Sequence, residues 1–372
     1  MRVLFFVERF WPFIGGVEVI SARVVPELVR RGIEVKVVTT RDEITLPEYD
    51  LYEGVEVHRL RIDSAIRNND IEAVAETRIR MTQIKNEFKP DLMHMVFMGP
   101  GIYFAFTTAQ VHPCPIILSF HGSWLRPELL QNTVLHRAVE ASSWYVACSE
   151  SALADLRSID PRIGPRSNAI LNGLDAAIAH PSPLDLEAPI LFCSARIEPE
   201  KGLDLAIEAV RLLRPEFPRL RLRIAGDGTA RPELEAQAAR AGIEDAVEFL
   251  GWQHPDRIPG LIDESAAVLV PSLREGFGLI ALEGMLGARP VVAARTGGLP
   301  EVLGDEGGVL VEPESAEAIA TALRDLFRDP ERATRVGLAG RARAQARFSL
   351  ARCVDAHESL YRELMLKNAI AS

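Results

Sequence analysis

Short apolar runs alternate with longer stretches of helical periodicity along the chain, and this alternation limits the possible folds more than any other feature. Val3–Val7 is a continuous apolar run, a helical pattern follows over 17–31, and the next predicted strand is Val35-Lys36-Val37-Val38. Strand, helix and strand in this order form the repeating unit of a parallel sheet that is covered by helices. Later apolar runs predict further strands at 91–96, 116–120 and 144–147.

A second series of such units occupies the C-terminal half of the chain. Its predicted strands are 190–193, 220–225, 246–250, 267–270 and 291–293, and its predicted helices are 203–214, 231–241, 256–263 and 279–287. Between the two series, 176–189 lacks periodicity and contains three prolines, which is typical of an exposed linker. The 372 residues exceed the size of a single core, about 250–300 residues. We therefore expect an α/β protein with two domains, 1–175 and 190–349, joined by this linker.

Charge and cysteine content exclude several classes of protein. The formal net charge of −10 argues against a protein that coats nucleic acid, because such proteins need a basic surface. Apolar stretches are too short for a membrane span, and the N-terminal run is too short for a signal peptide. The four cysteines lie far apart without a CxxC pair, so we expect free thiols in a reducing compartment. These observations favour a cytoplasmic protein.

Residues 71–88 form an amphipathic pattern that has two interpretations. Five apolar residues fall on one stripe at helical spacing, and they are Ile71, Val74, Met81, Ile84 and Phe88. Such a helix could bind a membrane surface. We favour a helix that buries this stripe and exposes its other face, because its charged neighbours have both signs.

Two features of the first half lie where predicted strands end. Gly15-Gly16 precedes the first helix, where glycines permit close approach of a ligand and the helix start offers N–H groups to an anion. A structural turn explains this pair equally well. His121-Gly122 follows the strand that ends at Phe120, which places an imidazole at the carboxyl end of a strand. The other seven histidines lack such a context, and we expect them to be structural or exposed.

The loop after the first strand of the second half carries two cations. Its sequence runs from Ser194 to Gly202 and places Arg196 and Lys201 at the carboxyl end of a parallel sheet, where such folds bind ligands. A planar guanidinium and a compact ammonium group suit a diphosphate. The alternative is a pair of solvated loop charges.

The segment 271–283 is the strongest candidate for a binding site. Gly276 and Gly278 leave N–H groups open at the start of a helix near Leu279, which suits an anion or a sugar hydroxyl. Glu275 lies in the loop, and Glu283 lies one turn into an otherwise apolar helix. A carboxylate there needs hydrogen bonds, from sugar or ribose hydroxyls or from a salt bridge to a neighbour such as Arg289.

The ordered set of motifs resembles the retaining glycosyltransferases of family 4, which have the GT-B fold of two Rossmann-like domains facing across a cleft. Their hallmark is two glutamates separated by seven residues, and Glu275 and Glu283 match it. Further motifs follow the order of this family along the whole chain: Gly15-Gly16, His121-Gly122, Ser149-Glu150-Ser151, Asn172-Gly173-Leu174-Asp175, Arg196 with Lys201-Gly202, Ala225-Gly226-Asp227-Gly228, Phe249-Leu250-Gly251 and Gly297-Gly298-Leu299-Pro300-Glu301.

The resemblance implies roles for these residues. Arg196 and Lys201 would stabilise the departing diphosphate, Glu275 would hold hydroxyls of the donor sugar, and His121 would contact that sugar near the reacting carbon. Substrate-binding residues would be Gly15, Gly16, Asn172, Gly226, Gly276, Phe277, Gly278, Leu279 and Glu283, the last of these on the ribose. The donor site would lie in the second domain, most of the acceptor site in the first, and the helix at about 350–372 would join the first domain.

The family also implies the reaction. It is retaining transfer from a UDP- or GDP-sugar to a carbohydrate or glycolipid acceptor in bacterial polysaccharide or glycoconjugate synthesis, without a metal ion. A membrane-borne acceptor would bring the protein to the inner membrane face. Two alternatives stay open, an isomerase of GT-B architecture such as a UDP-sugar 2-epimerase, and a non-catalytic nucleotide-sugar-binding protein.

One segment departs from the family pattern. Gly284 stands where alanine is usual, and Ala288 stands where a glycine usually ends the helix. We therefore expect this helix to end at Gly287.

Overall fold

The N-terminal apolar run forms the strand β1 (Arg2–Val7) at the centre of a sheet. The computed structural model describes residues 1–41, 45–96, 99, 101–122 and 134–371. Val3, Leu4 and Val7 are fully buried, as expected for a parallel strand that is covered on both faces.

Strands and helices alternate along the described residues. The other strands are β2 (Glu34–Thr40), β3 (Tyr49–Tyr52), β4 (Val55–Leu60), β5 (Leu92–Val96), β6 (Ile116–Phe120), β7 (Trp144–Ala147), β8 (Ser167–Ala169), β9 (Ile190–Ser194), β10 (Arg221–Ala225), β11 (Val247–Gly251), β12 (Ala267–Val270), β13 (Val291–Ala294) and β14 (Val309–Val311). The helices are α1 (Gly16–Arg30), α2 (Ile62–Arg67), α3 (Ile71–Phe88), α4 (Gly101–Thr107), α5 (Val134–Ala141), α6 (Glu150–Ile159), α7 (Leu203–Leu213), α8 (Arg231–Arg240), α9 (Ile258–Asp263), α10 (Leu279–Leu286), α11 (Leu299–Leu303), α12 (Ala316–Arg328), α13 (Pro330–Arg347) and α14 (Leu350–Ala371).

The chain divides into two compact units. The first comprises Met1–Leu171 and Leu350–Ser372, and the second comprises Asn172–Ser349. The segment 176–189, expected as a linker, falls within the second unit, where Leu184 and Leu186 pack against the hydrophobic core.

The sheet of the first unit has the strand order β3-β4-β2-β1-β5-β6-β7-β8. All of its neighbouring strands are parallel except β3, which pairs antiparallel with β4 at one edge. Helix α14 packs on this unit, since the Tyr361 hydroxyl is hydrogen-bonded to His94 of β5 and Arg31 forms an ion pair with Asp355.

The sheet of the second unit is entirely parallel, with the order β11-β10-β9-β12-β13-β14. Counted along this unit, the order is 3-2-1-4-5-6, which is that of a dinucleotide-binding Rossmann fold. The direction of winding reverses between β9 and β12. Loops at the carboxyl ends of these two strands therefore border the crevice where such sheets bind ligands.

Two parallel α/β sheets confirm the predicted fold class. Strands β3, β4, β8 and β14 did not follow from the sequence. In β4, the buried polar residues His58 and Arg59 interrupt the apolar pattern, and β8 has three residues. The β3 sequence, Tyr-Asp-Leu-Tyr, lies at an exposed edge where burial imposes no apolar pattern, and β14 has three residues of which two are half-buried.

Helix α3 buries Met81, Ile84 and Phe88 on one face, as expected. The predicted stripe is wrong at Ile71, which is 84% exposed. This residue begins the helix, and side chains on a helix point toward its N-terminus, so the Ile71 side chain extends beyond the buried turns. In the described part of the chain, no helix has the length and apolar character that a bilayer crossing requires.

The four cysteines are unpaired thiols, as predicted from their spacing. Three are buried, and Cys114 is half-buried. Burial raises the pKa of Cys114 to about 11 and that of Cys193 to about 12, so both thiols are protonated at neutral pH.

Candidate functional site

The loop 195–202 connects β9 to α7 at the point where the strand order reverses. It carries Arg196, which is largely exposed and lies 3.6 Å from Glu200, and Lys201, which is mostly buried. Gly202 ends this loop in the left-handed region, with φ of 62°, and a Cβ there would collide with the carbonyl oxygen of Pro271. The glycine is therefore required for close contact between this loop and the loop after β12.

Lys201 and Glu275 form an ion pair across the reversal point. The Nζ of Lys201 donates to Oε2 of Glu275 at 2.9 Å, and less than a fifth of each side chain is exposed. The two residues are 74 positions apart in the chain. Partial burial strengthens an interaction of opposite charges because the surroundings are less polarisable than water. The structure thus brings together two of the four residues that were predicted to be catalytic.

Backbone contacts fix the loop that carries Glu275. The Glu275 carbonyl accepts a hydrogen bond from the N–H of Gly298 at 3.1 Å, and the N–H of Leu273 donates to the Glu200 carbonyl at 2.9 Å. A Cβ on Gly297, whose φ is 51°, would collide with the Glu275 carbonyl oxygen. The glycine pair 297–298 therefore supports the loop 271–278 from the side of β13.

Helix α10 starts immediately after this loop. Gly278 precedes it with φ of 97°, and Leu279 is its first residue, as predicted. The first N–H groups of a helix lack acceptors within the helix and suit an anion. The Phe277 side chain is 3% exposed and packs edge-on against Phe348, with ring centroids 5.8 Å apart. The Phe277 side chain is therefore part of the packed interior and is not exposed to a ligand.

Glu283 lies on the second turn of α10 and is half-buried. Arg289, considered above as a partner for Glu283, forms an ion pair with Asp263 at 2.7 Å and also donates to the Ser182 carbonyl. The helix ends at Leu286 with Gly287 as its C-cap, as expected.

Gly226 lies on the other flank of the loop 195–202. Its φ is 129°, and a Cβ there would collide with the Ala195 carbonyl oxygen. This contact brings the loop after β10 against the loop that carries Arg196. Asn172, the first residue of the second unit, is buried.

The remaining candidates lie in the first unit. Gly15 is the N-cap of α1, and Gly16 is the first residue of that helix. A Cβ on Gly15 would collide with the Glu18 carboxylate, so a negative group already lies beside this helix start. His121 follows β6, and burial, with a contribution from His357, lowers its pKa to about 4. This imidazole is therefore uncharged at neutral pH.

Sequence reasoning missed one contact near the candidate site, between Glu198 and Thr229. The Glu198 carboxylate accepts hydrogen bonds from the hydroxyl and the N–H of Thr229. Glu198 lies within the segment from Ser194 to Gly202 but was not predicted to be a site residue, and Thr229 directly follows the motif 225–228. The two residues are 31 positions apart, and no local pattern relates them. In the described residues, no group of three or more His, Cys, Asp or Glu side chains could hold a metal ion.

Comparison with known protein families identifies two matches. The family profile described as "Glycosyltransferase Family 4" matches residues 14–177, and the one described as "Glycosyl transferases group 1" matches residues 176–343. Together they cover nearly the whole chain.

Characterised relatives align over long stretches. The glycogen synthase of Mycobacterium tuberculosis is 30% identical over 303 residues, which cover 77% of this chain and 72% of the relative. The D-inositol 3-phosphate glycosyltransferase of Kineococcus radiotolerans is 28% identical over 404 aligned positions, which cover 95% of this chain and 92% of the relative.

Solved structures share the fold. The sucrose-phosphate synthase of Thermosynechococcus elongatus superposes with a TM-score of 0.85 at 20% identity, covering 98% of this chain and 99% of the other. Anabaena HepE in complex with UDP and glucose superposes with a TM-score of 0.81 at 23% identity, covering 98% of this chain and all of the other. These structures are GT-B glycosyltransferases, which agrees with the predicted architecture.

Proposed function

Because the chain belongs to glycosyltransferase family 4 and is a glycosyltransferase with a nucleotide-sugar donor, we propose that it transfers a sugar from a UDP- or GDP-sugar to a carbohydrate or glycolipid acceptor with retention of configuration. Its proposed place is bacterial polysaccharide or glycoconjugate synthesis. The observation that carries this proposal is the Lys201–Glu275 ion pair at the reversal point of the second sheet.

The ion pair leaves both partners able to bind a donor. An ammonium group has three N–H donors, so Lys201 keeps two for phosphate oxygens when one is directed at Glu275. A carboxylate accepts several hydrogen bonds, so Glu275 can also accept from sugar hydroxyls. The ion pair therefore places a phosphate-binding group next to a sugar-binding group, as a nucleotide sugar requires.

In the proposed reaction, the bond between the anomeric carbon and the diphosphate oxygen breaks, and its electron pair leaves with the diphosphate. Lys201, Arg196 and the start of α10 stabilise the charge that develops there, which is commonly the largest contribution to catalysis. The acceptor hydroxyl attacks the same face of the sugar, and its proton passes to the departing diphosphate oxygen. His121 contacts the donor sugar as an uncharged group, because its pKa is about 4. We propose that no metal ion takes part.

The test is release of nucleoside diphosphate from UDP-glucose, UDP-N-acetylglucosamine and GDP-mannose, with and without simple sugar acceptors, in the presence of EDTA. We expect turnover of at least one donor, with the product in the donor's anomeric configuration by NMR. Lys201→Ala and Glu275→Ala should each lower kcat by about 100-fold or more. The first removes the positive charge that stabilises the leaving group, and the second removes the ion pair that orients this lysine.

The matched controls are Lys36→Ala and Glu56→Ala, which break a similar ion pair (2.7 Å) in the first unit. They should keep near wild-type rates. Loss of activity in EDTA would reject metal independence, and full activity of Lys201→Ala would reject the assigned site. An epimerised donor without acceptor would identify an isomerase instead, and tight donor binding without turnover would identify a binding protein.

A further inference from the structure

The loop that carries Arg196 and Lys201 is bound on one flank to the loop after β10. The N–H of Ile197 donates to the Asp227 carbonyl at 2.9 Å, and the Ile197 carbonyl accepts from the N–H of Ala230 at 3.0 Å. These backbone bonds fix the start of the loop. They hold Ile197, the residue next to Arg196, and the three residues before Lys201 follow it.

The Glu198 side chain makes a connection at that part of the loop. Its Oε2 accepts from the Thr229 hydroxyl at 2.5 Å, and its Oε1 accepts from the Thr229 N–H at 3.3 Å. Glu198 lies between the two cations, two residues after Arg196 and three before Lys201. The two hydrogen bonds from Thr229 lower the pKa of Glu198, so the carboxylate is charged at neutral pH.

On its opposite flank, the loop is bound to the loop after β12. The Glu200 carbonyl accepts from the N–H of Leu273, and Lys201 forms the ion pair with Glu275. The contact between Glu198 and Thr229 adds a side-chain attachment on the side of β10 to the backbone bonds of Ile197. Its loss would leave the residues after Ile197 without this side-chain attachment to the loop after β10.

We propose that Glu198 is a positioning residue for sugar transfer, with Thr229 as its partner. The pair holds the loop so that Arg196 and Lys201 meet the diphosphate as it departs. The proposal rests on the proposed function, since it concerns the same diphosphate site.

Charge gives the contact a second effect. Thr229 occupies both oxygens of Glu198, and the nearby Arg196 has Glu200 as its closest carboxylate, at 3.6 Å. Without Thr229, the Glu198 carboxylate would be free to move closer to Arg196 and would offset more of the positive charge that the leaving group needs. Positioning of this kind acts mainly in the transition state, where negative charge on the diphosphate is greatest.

The test measures steady-state release of nucleoside diphosphate from the donor that turns over fastest, with water as acceptor. We expect Glu198→Ala and Thr229→Val each to lower kcat by about tenfold. A displacement of 1 Å at a reacting centre costs roughly 100-fold, and the effect here should be smaller because the other attachments of the loop remain. The KM for the donor should change by less than about threefold, since ground-state contacts are kept. Thr229→Ser keeps both donors and should restore the wild-type kcat.

The double variant Glu198→Ala/Thr229→Val should be no slower than the slower single variant, because both substitutions remove one contact. The control is Glu208→Ala, which removes a carboxylate bound to Arg211 on α7 and should leave kcat unchanged. Thermal midpoints verify folding of each variant.

Unchanged kcat in Glu198→Ala, or additive losses in the double variant, would overturn the positioning role while the proposed function stands. A lowered thermal midpoint with wild-type kcat would mean that the contact is structural, and would also overturn it. Absence of turnover in the wild-type protein would reject the proposed function itself.

Discussion

Ala288 is one of five non-glycine residues in the described part of the chain that have a positive φ. Its φ is 55°, in the left-handed region that favours glycine, directly after the C-cap Gly287 of α10. The sequence predicts the end of this helix correctly but does not predict which residue adopts the left-handed conformation. Gly287 has φ of −76°, so the conformation falls on the alanine.

Replacing this alanine with glycine should stabilise the protein. The left-handed conformation costs an L-residue roughly 1–2 kcal/mol, and glycine avoids this cost. Part of the gain is offset because glycine also gives the unfolded chain more conformational freedom. We therefore expect Ala288→Gly to raise the free energy of unfolding by about 1 kcal/mol in urea titrations. The matched control is Ala241→Gly at the C-cap of α8, where φ is −81° and glycine should be neutral or destabilising. A destabilised Ala288→Gly protein would contradict this explanation.

At the scale of elements, the proline-rich segment 176–189 behaves differently from a free linker. Arg341 donates to the carbonyls of Ile178 and Ala179, and Arg289 donates to the carbonyl of Ser182. The prolines and the lack of periodicity correctly indicate irregular structure. They do not reveal these attachments, because both arginines lie more than 100 residues further along the chain.

Asp263 is the acidic partner in this attachment. The Arg289 side chain is 1% exposed, and Asp263 accepts hydrogen bonds from it and from the hydroxyl and N–H of Ser182. Removing one partner of a buried ion pair leaves the other charge uncompensated and costs about 3–5 kcal/mol.

We expect Asp263→Ala to lower the free energy of unfolding by about 3 kcal/mol, measured by urea titration. Ser182→Ala removes one hydroxyl and keeps the ion pair, so its cost should be about 1 kcal/mol. Equal effects of the two substitutions would show that the ion pair does not determine the stability of this attachment.

At the scale of the whole molecule, buried histidines are concentrated in the first unit. Burial lowers the pKa values of His58, His94, His121 and His357, and all four lie in this unit. His94 is hydrogen-bonded to Ser119 and to Tyr361 of α14, and its ring lies 5.5 Å from that of His357. The attachment of α14 to its sheet therefore depends on neutral imidazoles.

Acid should destabilise the first unit more than the second. A histidine with a lowered pKa in the folded state contributes its full stability above the unfolded pKa of about 6.5, and loses it as the pH falls toward the folded pKa. For His121 this window extends from about 6.5 to about 4. Each such histidine contributes a slope of up to about 1.4 kcal/mol per pH unit.

Thermal midpoints measured from pH 8 to pH 4 should therefore fall steeply below about pH 6.5. His357→Phe should reduce the slope, because it removes one titrating group. The control His254→Gln changes an exposed histidine of the second unit and should leave the slope unchanged. A pH profile that is flat from 6.5 to 4 would contradict this assignment.

The sequence by itself determined the two series of strand–helix units, the family and the identity of most candidate site residues. It could do so because buried parallel strands need continuous apolar runs and because the ordered motifs are local. It also determined that α10 begins near Leu279, since glycine and helix signals lie within one short segment.

Only the tertiary structure decided which of these residues meet. The ion pair of Lys201 with Glu275, the contact of Glu198 with Thr229 and the attachment of 178–182 join residues between 31 and 163 positions apart. For the first two contacts the physical reason is strand order. Strand β9 lies between β10 and β12, so the loops after these three strands are neighbours at the carboxyl edge of the sheet, and hydrogen bonds form there between groups that no local pattern relates. The third contact depends on the packing of α13 and of the segment after α10 against 178–182.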